Sequence, residues 1–320
     1  MSYRKWLLRL TLLAAVCLAG FLLYRGLSRY SFDEIVASIQ SIPMARLFGA
    51  FGFAVCSYLC LTVFDALGVR YAGKSLPYAK TALASFVSLS IGHNIGVAAL
   101  SSGAIRYRFY SKWGLDAGDV AKVILFSGMT VAVGLITLGG AGMLINPAAA
   151  AEMTGFSREI IIGLGIICLA SISVYLLLSA FLCSSLRFRK WTLEMPSLRL
   201  AAGQVAVGSV NFAFVGACLH QTLAAFTDAG YLKVTSAYVI ANTTALVSHV
   251  PGGLGVLETA ILYLLPGGTL IGALIAFRFA YFFVPLGFGL ALLLFSERHF
   301  FKEAGARAKG RTAGGSRKPI

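Results

Sequence analysis

The chain contains 320 residues, of which 58% are hydrophobic and 12% are charged, and its mean hydropathy is +0.83. No ordinary soluble domain is this apolar, so the composition excludes a soluble enzyme and predicts an integral membrane protein. The formal net charge of +15 comes from Lys and Arg residues in short clusters between apolar stretches and in the C-terminal tail. This pattern indicates membrane orientation and attraction to anionic lipid, and it does not indicate a nucleic-acid partner.

Motifs for catalysis or metal binding are missing from the sequence. There is no HExxH, no Walker-type lysine after a glycine-rich stretch and no serine-centred nucleophile elbow. Six cysteines lie within apolar segments without metal-type spacing: Cys17, Cys56, Cys60, Cys168, Cys183 and Cys218. We therefore expect no enzyme activity, no cofactor and no metal site, and we interpret the cysteines as packing residues.

Six apolar stretches are predicted to be full membrane spans: about 10–23, 44–69, 120–145, 160–183, 200–226 and 269–295. The first follows Arg4, Lys5 and Arg9 and resembles the hydrophobic part of a signal peptide. No Ala-x-Ala site follows it, so we expect it to be retained as a span. The segment 25–42 is predicted to be a partly amphipathic surface helix with Ser31 as its N-cap.

A further apolar region, 81–100, contains residues that interrupt a helix, in the stretch Ser90-Ile91-Gly92-His93-Asn94-Ile95-Gly96-Val97. Basic clusters flank this region on both sides. A full span would place one cluster outside the cytoplasm, against the positive-inside rule, whereas a re-entrant hairpin keeps both inside. Charge counting alone does not separate the two arrangements, so a chain of eight full spans is the alternative.

A second interrupted region, 234–266, contains His249, Pro251, Gly252, Gly253 and Gly255. A continuous helix is not expected through such a stretch. Backbone opened at membrane depth must be enclosed by protein or line a wet cavity, and interrupted helices at matching places in two halves are typical of a transporter's binding site. The alternative is two unrelated glycine-rich helix ends, because Gly and Pro are common in membrane helices.

Together these features predict an all-α polytopic membrane protein with about six full spans and two re-entrant, broken-helix hairpins that enter from opposite faces. The hairpins belong to predicted inverted repeats, with halves of about 44–145 and 200–297, in one membrane domain, 1–297. Residues 298–320, rich in Lys, Arg, Gly and Ser, are predicted to be a basic, disordered tail. Both termini are predicted to be cytoplasmic, in a bacterial-type plasma (inner) membrane.

Charged residues inside apolar segments need partners. Arg278 lies in the middle of a span, where an unpaired arginine costs several kcal/mol, and Glu258, about a turn into the helix after the second break, is its candidate partner. This pair either lines a substrate path or only locks the second hairpin to the last span. Asp65 either faces protein or water, or lies at the interface beside Arg70 and Lys74.

Polar side chains at the two breaks are candidates for the substrate path. His93, Asn94 and His249 are placed to bind exposed backbone or a lipid headgroup; for Asn94, helix capping is the alternative, and the histidines are candidates for proton transfer. Arg106 and Arg108 either grip an anionic headgroup at the cytoplasmic mouth or are ordinary positive-inside charge. The backbone N–H groups of the glycine-rich second break are candidates for holding a headgroup phosphate.

The chain resembles the transmembrane domain of the lysylphosphatidylglycerol synthase family (multiple peptide resistance factor and its stand-alone relatives). The resemblance rests on the stretches His93–Val97 with Ser102–Arg108, Pro251–Glu258 and Arg278–Leu286, and it covers nearly the whole chain apart from the tail. Ser102 before Gly103 departs from a glycine-richer family pattern. In that family the domain is regarded as a flippase for aminoacylated phosphatidylglycerol, while a separate cytoplasmic domain makes the lipid. The resemblance therefore implies a stand-alone flippase-type domain without synthase activity.

The preferred prediction is transport of a membrane phospholipid, anionic or aminoacylated, between leaflets, with its headgroup passing between the two breaks. One alternative is the membrane subunit of a phosphatidylglycerol lysyltransferase whose catalytic part is a separate synthase partner. The other is a membrane scaffold that transports nothing. The sequence predicts no oligomeric state.

Overall fold

The computed structural model describes residues 31, 33, 36, 37, 40–95, 98–181, 185–188, 191–248, 250–265 and 270–297. The predicted first span (10–23), most of the predicted surface helix (25–42) and the predicted tail (298–320) lie outside these residues. The described part includes the two interrupted regions apart from residues 96, 97, 249 and 266.

Helices make up most of the described chain. They are α1 (Met44–Tyr71), α2 (Tyr78–Ile95), α3 (Ala98–Lys112), α4 (Ala117–Ile145), α5 (Pro147–Thr154), α6 (Arg158–Phe181), α7 (Leu198–Leu223), α8 (Tyr231–Ser248), α9 (Val256–Leu264) and α10 (Ile271–Glu297). Two short strands, β1 (Ser185–Phe188) and β2 (Trp191–Glu194), pair antiparallel between α6 and α7. The predicted all-α class holds for the bundle, and the basic loop adds a small hairpin that the prediction did not include.

Five of these helices, α1, α4, α6, α7 and α10, are long and apolar enough to cross a membrane. They correspond to the last five of the six predicted spans. The largest difference at a helix end is three residues, as at the start of α4, which is residue 117 instead of 120. The chain is therefore a multi-pass helical membrane protein.

Local polar side chains set the ends of α4. The Asp119 N–H donates to Asp116 Oδ1 at 2.8 Å, and the Asp116 N–H donates to Asp119 Oδ2 at 3.0 Å, which together satisfy two free N–H groups of the first turn. The helix ends before Asn146, whose side chain caps α5 by accepting from the Ala149 N–H at 3.1 Å. Pro147 occupies the first position of α5, where a missing N–H costs nothing.

Helices α1 and α7 pack extensively against each other and form the centre of the bundle. Helix α4 crosses α7 so closely that a methyl group on Gly134 would lie 2.5 Å from the carbonyl carbon of Gly208. Small residues at such crossings allow close helix contact in membranes. Helix α6 packs on α4 through Gly140 and Gly165. It is the least buried of the five described spans, because only 17% of its most apolar 18-residue segment is buried.

Each interrupted region folds as two packed helices whose outer ends lie together. Lys74, which follows α1, contacts Asp119 in the first turn of α4 at 3.1 Å, so the α2–α3 pair begins and ends at one end of the bundle. The α8–α9 pair has the same property. Leu265, just after α9, lines one shallow depression together with Asp228 and Lys233, which lie at the start of α8.

The two helix pairs start from opposite ends of the bundle. At the end where α1 begins, Arg46 donates to Gln221, near the end of α7, at 3.3 Å. Because α8 follows α7, the α8–α9 pair starts at this end, whereas the α2–α3 pair starts where α1 finishes. The order of long helix, helix pair and long helix thus occurs in 44–145 and again in 198–297. The inverted relation between the halves and the depth of the pairs in a membrane stay predictions.

Candidate functional site

The second break is a tight turn that depends on three glycines. After α8 the chain makes one 3-10 turn, Pro251–Gly253, and α9 begins at Val256. The φ angles of Gly252, Gly253 and Gly255 are 60°, 58° and 84°, a left-handed region that residues with side chains rarely adopt. The backbone path itself therefore requires the glycines of this stretch.

Arg278 of α10 holds this turn in place. Its guanidinium forms a two-pronged ion pair with Glu258, from Nε to Oε1 and from Nη2 to Oε2. The same guanidinium donates to the carbonyl oxygens of Gly252 at 3.0 Å and Gly253 at 3.1 Å, and it lies 5.2 Å from the centre of the Phe282 ring. The predicted partnership of Arg278 with Glu258 is confirmed, and it joins α9 and the turn to α10.

Two backbone donors of the turn are already bonded within the chain, at the place where the phosphate site was predicted. The Gly255 N–H donates to Glu258 Oε2 at 2.8 Å, and the Gly253 N–H donates to the Val250 carbonyl at 2.9 Å. A protein carboxylate therefore occupies the positive end of α9, where the phosphate was expected. A headgroup reaches this position only by displacing Glu258.

The end of α2, at the first break, meets the turn directly. A methyl group built on Gly252 would lie 3.5 Å from the His93 carbonyl oxygen and 3.6 Å from the Asn94 carbonyl oxygen. The Asn94 side-chain amide donates to the Ser90 carbonyl at 2.8 Å and to the Phe282 carbonyl of α10 at 3.4 Å. Asn94 thus bonds the end of α2 to α10, and the end of α2 lies beside the glycine turn.

Helix α10 is irregular where it meets the two breaks. A π-helical stretch, Phe279–Phe283, follows Arg278 and includes the Phe282 carbonyl that accepts from Asn94. Short π-helical stretches are rare and occur frequently at functional sites. Two irregular pieces of backbone, the glycine turn and the π-helical stretch of α10, therefore come together beside the end of α2.

His93 carries a buried polar atom without a partner. Its Nδ1 makes no hydrogen bond in the part of the chain that the structure describes, and its ring centre lies 6.3 Å from that of Tyr58. An unpaired buried polar atom costs about 1–3 kcal/mol, so a hydrogen-bonding ligand would be favourable here. His249, the predicted counterpart in the second break, lies outside the described residues, as does the Pro251 side chain.

Asp65 and Arg106 form another buried ion pair, between α1 and α3. Arg106 donates from Nε at 2.9 Å and from Nη2 at 2.7 Å, and Tyr110 at 2.8 Å and Ser127 at 3.3 Å donate to the same carboxylate. Asp65 is fully buried and Arg106 is 2% exposed. The interface position considered for Asp65 is therefore wrong. The predicted mouth position of Arg106 is also wrong, because the buried Asp65 carboxylate draws this side chain into the bundle.

Arg108 lies nearer the end of the bundle than Arg106. It pairs with Glu297 at the end of α10, and Lys112 contacts the same carboxylate at 3.5 Å. The Arg108 side chain is 18% exposed. Of the two arginines predicted for the mouth, only Arg108 is partly accessible, and its charge is already paired.

Uncharged polar residues that the sequence analysis did not single out form a network at the bundle centre. Ser57 donates to Asn211 Oδ1 at 2.7 Å and lies 2.9 Å from the Tyr281 hydroxyl, while Tyr58 donates to the Tyr281 carbonyl at 3.3 Å. Another amide, Gln204, links α7 to α4. Asn211 and Gln204 both lie in the mainly apolar span α7. Their polarity in such a span was the sequence feature that could have identified them.

Comparison with known proteins gives the family. No family model matches the chain. The uncharacterized protein slr0712 of Synechocystis sp. is 32% identical over 265 residues, which cover 82% of this chain and 82% of that protein. The chain belongs to the same family as slr0712. The inner membrane protein YbhN of Escherichia coli is 29% identical over 301 residues, which cover 89% of this chain and 90% of YbhN.

A more distant relative is much longer. The phosphatidylglycerol lysyltransferase of Staphylococcus haemolyticus is 23% identical over 299 residues, which cover 88% of this chain but only 34% of that enzyme. The chain therefore matches about a third of the lysyltransferase, whereas it matches slr0712 and YbhN over most of their length. These similarities agree with the bundle of apolar helices in placing the chain in a family of membrane proteins.

Proposed function

We propose that the protein moves a phospholipid between the two leaflets of a membrane, with the headgroup passing between the two helix breaks and the acyl chains staying in the bilayer. The observation that carries this proposal is the closeness of Gly252 to the end of α2, where a methyl group built on this glycine would lie 3.5 Å from the His93 carbonyl oxygen and 3.6 Å from that of Asn94. Helix pairs that start at opposite ends of the bundle bring interrupted backbone to one central place. Interrupted helices around a site near the midplane are typical of transporters.

In this proposal the two helix pairs are re-entrant hairpins, and both chain termini are cytoplasmic. Interrupted backbone at membrane depth is tolerated only where protein or a wet cavity surrounds it. The basic residues Arg70, Lys74, Arg108 and Lys112 lie towards the bundle end where α1 finishes, and this supports a cytoplasmic position for that end. YbhN is an inner membrane protein of Escherichia coli, and this similarity supports the bacterial inner membrane as the location.

Transport in reconstituted vesicles tests the proposal. Phospholipids labelled on an acyl chain are added to vesicles with and without the purified protein, and an impermeant quencher reports how fast inner-leaflet lipid reaches the outer leaflet. We expect the protein to accelerate this exchange. No acceleration with any anionic, aminoacylated or zwitterionic phospholipid would remove the proposed function.

A matched pair of variants tests whether the lipid uses the breaks. Gly252→Val adds a branched side chain at a φ of 60°, beside the His93 carbonyl, and we expect it to abolish transport. Gly287→Val makes the same change on α10, where nothing lies within 4 Å of the added carbon, and we expect it to keep transport. Equal rates in the two variants would contradict passage between the breaks.

A second candidate function rests on the similarity to the lysyltransferase. The protein would then be the membrane subunit of a phosphatidylglycerol aminoacyltransferase whose catalytic part is a separate chain. Co-purification with such a synthase, or a synthase reading frame beside the gene, would support it. The remaining possibility is a scaffold that transports nothing. In that case a cysteine placed at Asn94 should react with impermeant reagents from one side of the membrane only.

A further inference from the structure

The buried charged side chains that the structure describes all have partners of opposite charge. In the described part of the chain, four charged residues are buried: Asp65, Arg106, Arg278 and Glu297. Each of them has a partner of opposite charge. The pair that touches the second break is Arg278 with Glu258. Among the described buried residues, therefore, no cation is left without a counter-charge for a purely anionic headgroup, and a buried charge without a counter-charge is strongly unfavourable.

We propose that the transported headgroup is zwitterionic, with a phosphate and an ammonium group, and that it binds by exchanging partners with the Glu258–Arg278 ion pair. The phosphate takes the guanidinium of Arg278, and the ammonium takes the carboxylate of Glu258. This inference rests on the proposed function, because it names the class of lipid that uses the path. It departs from the earlier expectation of a purely anionic lipid, and it includes any phospholipid whose headgroup carries both a phosphate and an ammonium group, aminoacylated or not.

Accessibility selects this pair over the other buried one. The side chains of Arg278 and Glu258 are 8% and 13% exposed, whereas those of Arg106 and Asp65 are 3% and 0% exposed. The Asp65 carboxylate also accepts hydrogen bonds from two hydroxyl groups in addition to the guanidinium. The Glu258–Arg278 pair is therefore the one that a headgroup reaches with less rearrangement.

The guanidinium is held in position independently of the carboxylate. When Glu258 leaves, the carbonyls of Gly252 and Gly253 still accept from Nη1 and Nη2 of Arg278. The Nε and Nη2 edge that faced the carboxylate then faces the incoming group. Two non-bridging phosphate oxygens fit such an edge in the same bidentate way as a carboxylate does.

The Glu258 carboxylate needs a new cation once Arg278 binds the phosphate. Glu258 keeps the Gly255 N–H as one donor, but it loses its cation. An ammonium group supplies both the charge and hydrogen-bond donors, so a zwitterion restores every ion pair that it breaks. A headgroup with a phosphate alone would leave Glu258 unpaired beside a second anion, which raises the free energy of the bound state.

Selectivity between two lipids tests the inference. Transport is measured for a phosphoethanolamine lipid and a phosphoglycerol lipid with the same acyl-chain label, with a potassium ionophore present so that no membrane potential opposes the anionic lipid. We expect the wild-type protein to move the phosphoethanolamine lipid about tenfold faster, which corresponds to a free-energy difference of about 1.4 kcal/mol. In Glu258→Gln the bound phosphate no longer leaves a carboxylate without a counter-charge. The ratio of the two transport rates should therefore reverse in favour of the phosphoglycerol lipid.

The controls separate a specific effect from loss of structure. Glu152→Gln makes the same chemical change at a side chain that is 70% exposed, and it should keep the wild-type preference. If Glu258→Gln does not fold, the ratio of the phosphoethanolamine and phosphoglycerol transport rates of the wild-type protein still tests the inference. Equal or faster phosphoglycerol transport by the wild-type protein would overturn the inference while lipid transport stands, whereas no transport of either lipid would remove the proposed function as well.

Discussion

Replacing Asp65 should destabilise the protein far more than replacing an exposed acidic residue. The Asp65 carboxylate is fully buried and accepts four hydrogen bonds, two from Arg106 and one each from Tyr110 and Ser127. In Asp65→Asn the buried guanidinium of Arg106 loses its counter-charge, and breaking a buried ion pair in this way costs about 3–5 kcal/mol. Arg106→Met should cost a similar amount, because it strands the carboxylate instead.

The double variant Asp65→Asn/Arg106→Met gives the decisive measurement. It leaves no uncompensated charge, so the change in the free energy of unfolding should be smaller than the sum of the single changes by at least ~2 kcal/mol. Reversible unfolding in mixed micelles, followed by circular dichroism, measures these values. Lys74→Met is the control, because Lys74 is 42% exposed in its pair with Asp119 and such surface pairs contribute about 0–1 kcal/mol. Additive single effects would refute the buried-pair argument.

Three further outcomes are expected. Gly134→Ala puts a methyl group 2.5 Å from the α7 backbone and should cost about 1–3 kcal/mol of unfolding free energy in the same micelle assay, whereas Gly128→Ala, with nothing within 4 Å, should be nearly neutral. His93→Phe removes the unpartnered Nδ1 and should raise stability by about 1 kcal/mol while slowing transport in vesicles; unchanged transport would exclude a role for this histidine. Arg278→Ala should abolish folding, and adding Glu258→Ala should restore folded protein without restoring transport; restored transport would show that the pair is only a structural lock.

The sequence predicts the spans and one of the ion pairs for physical reasons. Apolar length marks a membrane helix, so the five described long helices were predicted to within three residues at their ends. An arginine in mid-span requires a nearby counter-charge, and Glu258, only 20 positions before Arg278, was the available carboxylate. The break in α8–α9 was predicted because proline and glycines are poor helix formers.

What could not be predicted depends on contacts between distant parts of the chain. Asp65 and Arg106 are 41 positions apart, and each stands beside other charges, so either one reads from sequence as an interfacial residue. Ser57 and Asn211, 154 positions apart, carry no charge that would demand a partner. The capping role of Glu258 was also hidden, because it follows from the direction in which the glycine turn presents the Gly255 N–H.

The ion pairs of the two helix pairs indicate which part of the bundle would move during lipid transport. The second arm of each helix pair is tied to a long helix by an ion pair, Arg106 with Asp65 on α1 and Glu258 with Arg278 on α10. Between the two breaks, by contrast, the described residues show no ion pair, and a methyl group built on Gly252 would lie 3.5 Å from the His93 carbonyl oxygen of α2. Because breaking a buried ion pair costs far more than separating a few backbone atoms, the central contact should open while both arms stay anchored. A headgroup that exchanges partners with the Glu258–Arg278 pair would then weaken the link between α9 and α10 as it enters. Binding of the headgroup would in this way be coupled to movement of the α8–α9 pair.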